Sequence, residues 1–198
     1  MARTKEQNER LSLATREKIY TAALSLFAQK GFALTTIKDI SRTANISTGL
    51  VYRHFHSKED LFGRLVEKAV HEIKSVAESL HTEASPKETV TELVKKMITG
   101  IQSSEEVSHY FLLVARILLE DEGLPQIREL KQTDLMLFQQ MAELIERGQQ
   151  QGVFREGDPY QLSLLLFAII QGTADMKMFL GEKFVAPDVQ DVTAFLFK

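Results

Sequence analysis

The chain has 198 residues, long enough for one large or two small domains with a full core, and carries 24 Lys/Arg against 27 Asp/Glu for a formal charge of −3. It holds no cysteine, which excludes disulfides, thiolate metal ligands and a cysteine nucleophile. The N-terminus is polar rather than apolar, and the longest strongly apolar run, residues 162–170, falls short of the ~20 residues of a membrane span, so the expectation is a soluble cytoplasmic protein without a membrane partner.

The first predicted element is an amphipathic helix within residues 19–32, closed by Gly31. Residues 36–55 then hold two short helix patterns joined by a tight turn. Thr36 and Asp39 form a helix start in which the Thr hydroxyl caps exposed backbone donors. Ile37, Ile40 and Ala44 recur at helical spacing, and Asn45 tolerates the left-handed conformation that ends a helix. Ile46 plugs the angle between the helices, and Ser47 caps the second. Leu50 and Val51 turn inward, leaving Thr48, Gly49, Tyr52 and His54 for the outer face. The second helix is short enough to lie in a DNA major groove. An ordinary helical hairpin carries the same local pattern, so the flanks decide between the two readings.

Ser57 caps a long helix expected over residues 58–81. Ser85-Pro86-Lys87-Glu88 combines an N-cap, proline in the first turn and an acidic third residue. The helix it starts carries Val90, Leu93, Val94, Met97, Ile98 and Ile101 inward. Ser104 opens another to about Leu119, and Gly123 and Pro125 separate that from a long helix ending near Gly152. Asp158-Pro159 opens a helix to about Leu180, and Pro187-Asp188 introduces a short last one. The chain reads as all-α with about nine helices.

The first third of the chain resembles the DNA-binding domain of the tetracycline-repressor (TetR) family of bacterial transcription regulators. The resemblance rests on Ala22-Ala23, Leu26-Phe27, Gly31-Phe32, Thr35-Thr36, Ile40, Ala44, Ile46-Ser47, Gly49, Tyr52, Phe55, Lys58 and Leu61 in order at fixed spacing. Asn45 departs from it, since the family usually has Gly there; Asn also reaches positive φ, so the turn is expected to survive. The resemblance implies a three-helix helix-turn-helix domain over residues 1–57 and a helical ligand-binding and dimerisation domain over 58–198. It implies a repressor that grips a near-palindromic operator as a homodimer and is released by a small, largely apolar inducer of unknown identity. Thr36, Arg42, Ser47, Thr48, Gly49, Tyr52, His54 and Lys58 are the expected DNA contacts. No Arg or Asn occupies the opening turn of the reading helix for a bidentate contact to G or A, so part of the specificity is expected from operator shape.

Charge placement agrees with that direction. Residues 1–60 hold ten Lys/Arg and six Asp/Glu, a net of +4, and the remainder carries −7. Cationic surface at the motif is what phosphate contact requires.

Two further sets of residues are singled out in the second half. Residues 162–178 are apolar over more than the arc a surface helix needs: Leu162, Leu165, Leu166, Ile169, Ile170, Thr173 and Met176 wrap over half the circumference, and of these Leu162, Leu166, Ile169, Ile170 and Thr173 are the expected dimer contacts. Leu137, Met141, Leu144 and Ile145 offer a second such surface; burial within one subunit is the alternative. Met97, His109, Phe111, Arg116, Phe138, Met141, Gln171 and Asp175 are the expected inducer-pocket residues, although a Met and aromatic stripe is also what plain core looks like. Arg116 lies in an apolar stretch where a charge is costly unless paired or placed at a ligand, with Asp175 or Glu120 as an internal alternative. No catalytic or metal site is expected: His54-x-His56 points its rings apart, and no phosphate loop, nucleophile elbow or His-Glu-x-x-His is present. No cofactor is expected. The competing reading is a helical interaction or ligand-binding protein that keeps the fold without sequence-specific DNA binding.

Overall fold

The computed structural model describes residues 5–119 and 124–198; Glu120 and Gly123 lie outside the described residues. Among the described residues nine α-helices follow in order: α1 Lys5–Lys30, α2 Ile37–Thr43, α3 Thr48–His54, α4 Lys58–Ser79, α5 Pro86–Ser103, α6 Glu105–Leu118, α7 Pro125–Gln150, α8 Pro159–Leu180 and α9 Val189–Thr193. Among the described residues the β-structure is a single isolated bridge, Phe154 with Phe197. The fold is all-helical, with the expected breaks.

Those breaks follow from local chemistry. Thr36 and Asp39 form a reciprocal capping box, as do Ser85 and Glu88. Ser47, Ser57, Ser104 and Asp158 each accept a backbone N–H with the side chain. Pro86, Pro125 and Pro159 stand in first turns, where their missing N–H leaves no bond unmade. The first helix begins fourteen residues earlier than the apolar pattern at Ile19 announces, because its opening turns are polar and largely exposed, with Leu11 and Leu13 facing out.

Two apolar clusters build the interior. The first gathers Ile19, Ala23 and Phe27 of α1 with Ile40, Val51, Phe55 and Phe62, and continues through Leu113 and Ile117 of α6 to Ile127 and Leu130 of α7. Rings order its centre: Phe27 meets Phe62 edge-on at 5.3 Å, and Tyr20 meets Phe55 at 5.2 Å. The second gathers α5, the later half of α7, α8 and the C-terminal segment around Val94, Leu144, Phe154, Leu166 and Leu196. The helix-turn-helix head is therefore bolted to α6 and α7 by shared core rather than hung on a linker. The division falls along α4, with Val70 in the first cluster, Ala77 in the second and Ile73 touching both.

The C-terminal segment closes the far end. Arg155 donates to the Phe195 carbonyl at 2.6 Å, Phe154 stacks on Phe197 at 5.6 Å, and the Phe154 ring fills the space where a Cβ at Gly148 would stand.

Candidate nucleic-acid interface

The head presents α3 on a frame set by α2. Asn45 sits at φ 53°, the one non-glycine residue of positive φ among the described residues. Its turn returns the chain so that Ile46 N–H bonds the Ser41 carbonyl at 3.0 Å, and α3 leaves at an angle to α2. Ser41 is buried and its Oγ lies 3.2 Å from Thr48 Oγ1, a polar tie between the two helices that the apolar pattern gave no sign of.

The outer face of α3 is open. Ser47, Thr48, Gly49, Tyr52 and Arg53 are exposed, while Val51 and Phe55 are buried beneath them; Leu50 is half-buried. Nothing lies within 4 Å of a Cβ built at Gly49, so the missing side chain is no demand of the protein's own packing. Tyr52 keeps 53 % of its surface exposed, and His54 is half-buried at the helix end. Arg53, not singled out from the sequence, adds a cation on the same end.

Several expected contacts are engaged within the protein. The Thr36 hydroxyl donates to Asp39 Oδ2 at 2.6 Å and accepts from the Asp39 N–H, so it closes the cap rather than standing free. Those bonds from Thr36 hold the Asp39 carboxyl below its usual range. Arg42 pairs with Asp39 at 2.9 Å while its side chain remains 74 % exposed, a surface pair that adds little stability and leaves the cation at the surface. Lys58 departs furthest from expectation. Its Nζ donates to the carbonyls of Phe32 and Thr35 at 2.8 and 3.0 Å and lies 4.1 Å from the Phe32 ring centroid. It ties α4 to the connection between α1 and α2, and two of its three donors are spent there.

Among the described residues, neither the apolar groove beside α8 nor the polar cleft at Glu59, Gly63 and Gln126 is lined by the expected pocket residues. His109 and Arg116 of α6 face α1. Gln29 Nε2 donates to His109 Nε2 at 3.1 Å and Ser25 Oγ lies 3.3 Å from the same atom; burial lowers the His109 pKa, in keeping with a neutral accepting ring. Arg116 donates to the Gln29 carbonyl at 3.4 Å, at the negative end of α1, and packs beside Gly31. Among the described residues it does not pair with Asp175, which accepts from Gln171 on its own helix at 2.9 Å, and Glu120 lies outside the described residues. Met141 is fully buried core. Met97 and Phe111 pack half-buried against the second cluster, and Phe138 meets Phe167 at 5.2 Å.

The dimer residues need a correction. Leu162, Leu166 and Ile170 are buried against their own chain, at 3 % exposure or less, so they leave little for a second copy to cover; Thr173, 8 % exposed, and half-buried Ile169 border an open groove. Leu137, Met141, Leu144 and Ile145 are buried likewise. The uncovered apolar residues of α8 are Leu164, Leu165, Met176, Phe179 and Leu180, with Phe179 81 % exposed. Beside them runs that open apolar groove of ≈ 470 Å³, lined by Ile169, Gly172, Thr173, Met176, Leu180, Phe184, Val185 and Pro187. Residues 162–170 also understate the apolar length here. Within Pro159–Lys183 an 18-residue window reaches a mean hydropathy of 1.4, long and apolar enough to cross a membrane by length and composition alone, with 22 % of that window buried. One side of it packs along α5, α6 and α7.

Residues 19–65 match the family described as bacterial regulatory proteins, tetR family. The chain is 30 % identical over 146 residues to the uncharacterized HTH-type transcriptional regulator YfiR of Bacillus subtilis, covering 72 % of this chain and 69 % of that one. It is 29 % identical over 189 residues to YerO of the same organism, another uncharacterized HTH-type transcriptional regulator, covering 92 % of this chain but 62 % of that longer relative. Among solved structures, a Saccharomonospora viridis protein in complex with choline superposes with a TM-score of 0.67 at 25 % identity, covering 94 % of this chain and 99 % of that one.

Proposed function

The chain belongs to the tetR family of bacterial regulatory proteins, and from that premise we propose that it is a cytoplasmic, ligand-responsive transcriptional regulator, a repressor that binds a near-palindromic operator as a homodimer. The observation that carries the reading is the open face of α3. A short helix is held rigidly by Val51 and Phe55 beneath and by the Ser41–Thr48 tie beside it. It leaves Ser47, Thr48, Gly49, Tyr52 and Arg53 outward with no protein partner packed over Gly49. Short side chains at the opening turn let backbone approach a groove closely, while Tyr52, Arg53 and the exposed Arg42 reach for phosphate. His54 borders this face. Thr36 and Lys58 serve it from behind by fixing the angles at which α2 and α4 leave it.

One such helix grips few bases, so two are needed. The uncovered arc of α8, centred on Leu165, Met176 and Phe179, is the face on which a second copy is proposed to sit, with Ile169 at its edge. A two-fold pairing there presents two reading helices to successive major grooves. We place the functional boundary at 57/58, with residues 58–198 as the ligand-binding and dimerisation half. A ligand in that half releases the operator by favouring a different head spacing, a coupling of about 1–3 kcal/mol for a typical switch. The relatives above are regulators rather than enzymes. That the structural neighbour holds a small organic molecule, choline, supports a small-molecule ligand for this chain.

The test is operator selection. Full-length protein is incubated with a random duplex library, and the bound fraction is enriched and sequenced. Enrichment of a near-palindromic site supports the reading. No enrichment overturns it in favour of a helical ligand-binding or interaction protein.

A further inference from the structure

Ser47, Thr48 and Gly49 open α3, all three small and exposed, and none of them has the forked donor and acceptor set that grips a base edge at two points. What they offer a groove is decided by where their protons go. Ser47 Oγ accepts the Leu50 N–H at 3.2 Å and so caps α3. Gly49 offers bare backbone, with nothing within 4 Å of a Cβ built on it. Thr48 alone carries both a hydroxyl and a methyl group on one carbon. Which of the two turns outward decides what it reads.

Ser41 makes that choice. Its hydroxyl donates to the Lys38 carbonyl at 3.0 Å, and the same Oγ lies 3.2 Å from Thr48 Oγ1. A hydroxyl has one proton to give and two lone pairs to receive. With the Ser41 proton on the Lys38 carbonyl, Thr48 is the donor between the two hydroxyls. The reverse assignment leaves Ser41 Oγ and the Lys38 carbonyl face to face with no proton between them. Ser41 is 5 % exposed, so water is poorly placed to supply one. Thr48 thus turns its hydroxyl towards α2 and spends its proton there. The bonds at Cβ are tetrahedral, so holding Oγ1 also holds Cγ2, and the methyl group is what this exposed residue has left to present. The frame behind it is fixed by the same residue, since the Ser41 carbonyl accepts the Ile46 N–H at 3.0 Å.

We propose that Thr48 reads thymine, its methyl group meeting the C5-methyl of one thymine in each half-site, with Ser41 as the positioning residue that holds the rotamer. The C5-methyl is an apolar mark that thymine alone carries in the major groove. A side chain as short as threonine reaches it because Gly49 lets the backbone come close. The inference rests on the reading of α3 as the DNA-contacting helix and names a base that this helix recognises. It adds a direct contact to a specificity otherwise left to operator shape.

The experiment removes that methyl group from the DNA and from the protein in turn. The duplex obtained by operator selection is synthesised with deoxyuridine in place of thymine, one symmetry-related pair per duplex; deoxyuridine pairs as thymine does and lacks only the C5-methyl. Each duplex is titrated by fluorescence anisotropy with full-length wild type, T48S, T48V, S41A and the double variant S41A/T48V. For the wild type, one pair should stand out with a loss of about fifteenfold, about fourfold per half-site for one methyl group returned to water. T48S should lose that penalty. T48V, with a methyl group on both branches, should keep it. S41A should shrink it by freeing the Thr48 rotamer, and S41A/T48V should restore it, a rescue that a purely structural Ser41 would not give. T48S and T48V alter an exposed position and are expected to fold, as melting curves will show, so the central comparison stands even if S41A unfolds. Indifference of the wild type to every uracil, half-sites without thymine, or a penalty unchanged in T48S overturns the proposal. A penalty kept in T48S and lost in T48V does so too, by assigning the contact to the hydroxyl. A full penalty in S41A overturns the role of Ser41. Failure to enrich any operator overturns the functional reading itself.

Discussion

A Cβ added at Gly49 meets nothing within 4 Å, whereas one at Gly31 falls 2.8 Å from the Arg116 guanidinium on a backbone at φ 84°. G49A should therefore leave the melting temperature unchanged or raise it slightly, by the ~0.5–1 kcal/mol that Ala gains over Gly inside a helix. The same change should weaken operator binding, because the new methyl group points into the proposed groove contact; wild-type affinity in a gel-shift titration would contradict that placement. G31A should destabilise the fold by ~1–3 kcal/mol in chemical denaturation, through left-handed strain and displacement of Arg116. Asp134 adds a pH dependence whose sign is fixed. Its pKa rises from 3.8 to about 6 on burial, so the folded state holds the proton more tightly than the unfolded chain. The resulting penalty is fully present above pH ~6 and fades as the pH falls to ~4. D134N should thus melt higher than wild type at neutral pH, with the gap closing towards pH 4; a constant gap across that range would show that burial is not its cause.

At the scale of elements, helix boundaries were legible because capping is local. Thr36 with Asp39, Ser85 with Glu88 and Asp158 with Pro159 each announce a helix start within four residues. Which way a helix faces was legible only where one side is polar. On α8 both sides are apolar, so nothing local separated Leu162 and Leu166, which pack inward, from Leu165, which does not. Arg116 and Lys58 escaped for another reason. Their partners, the carbonyls of Gln29 and of Phe32 and Thr35, are backbone atoms distant in sequence, and no side-chain pattern marks a carbonyl that needs a donor. Both cations join the head to the helices behind it. R116A is accordingly expected to loosen the seam between α1 and α6, with faster amide exchange in the last turn of α1, rather than to abolish ligand binding; unchanged exchange there would show the contact to be idle. On α8, F179E should shift the proposed dimer towards monomer at least tenfold in sedimentation equilibrium with the helical signal intact. An unaffected dimer would move the interface elsewhere.

The whole molecule is electrically and mechanically two-ended. Net positive charge is gathered in the first sixty residues and net negative charge in the remainder, which keeps the body away from DNA while the head approaches. The head shares its core with α6 and α7, the helices that hold the reading face. The direct test of a dimeric head gripping phosphate is a titration of the selected operator duplex across a salt series, with stoichiometry read at saturation. Two chains per near-palindromic duplex are expected, with affinity falling by about 10³–10⁵ between 50 and 200 mM salt if six to ten phosphates are contacted. One chain per duplex, or an affinity indifferent to salt, would contradict it.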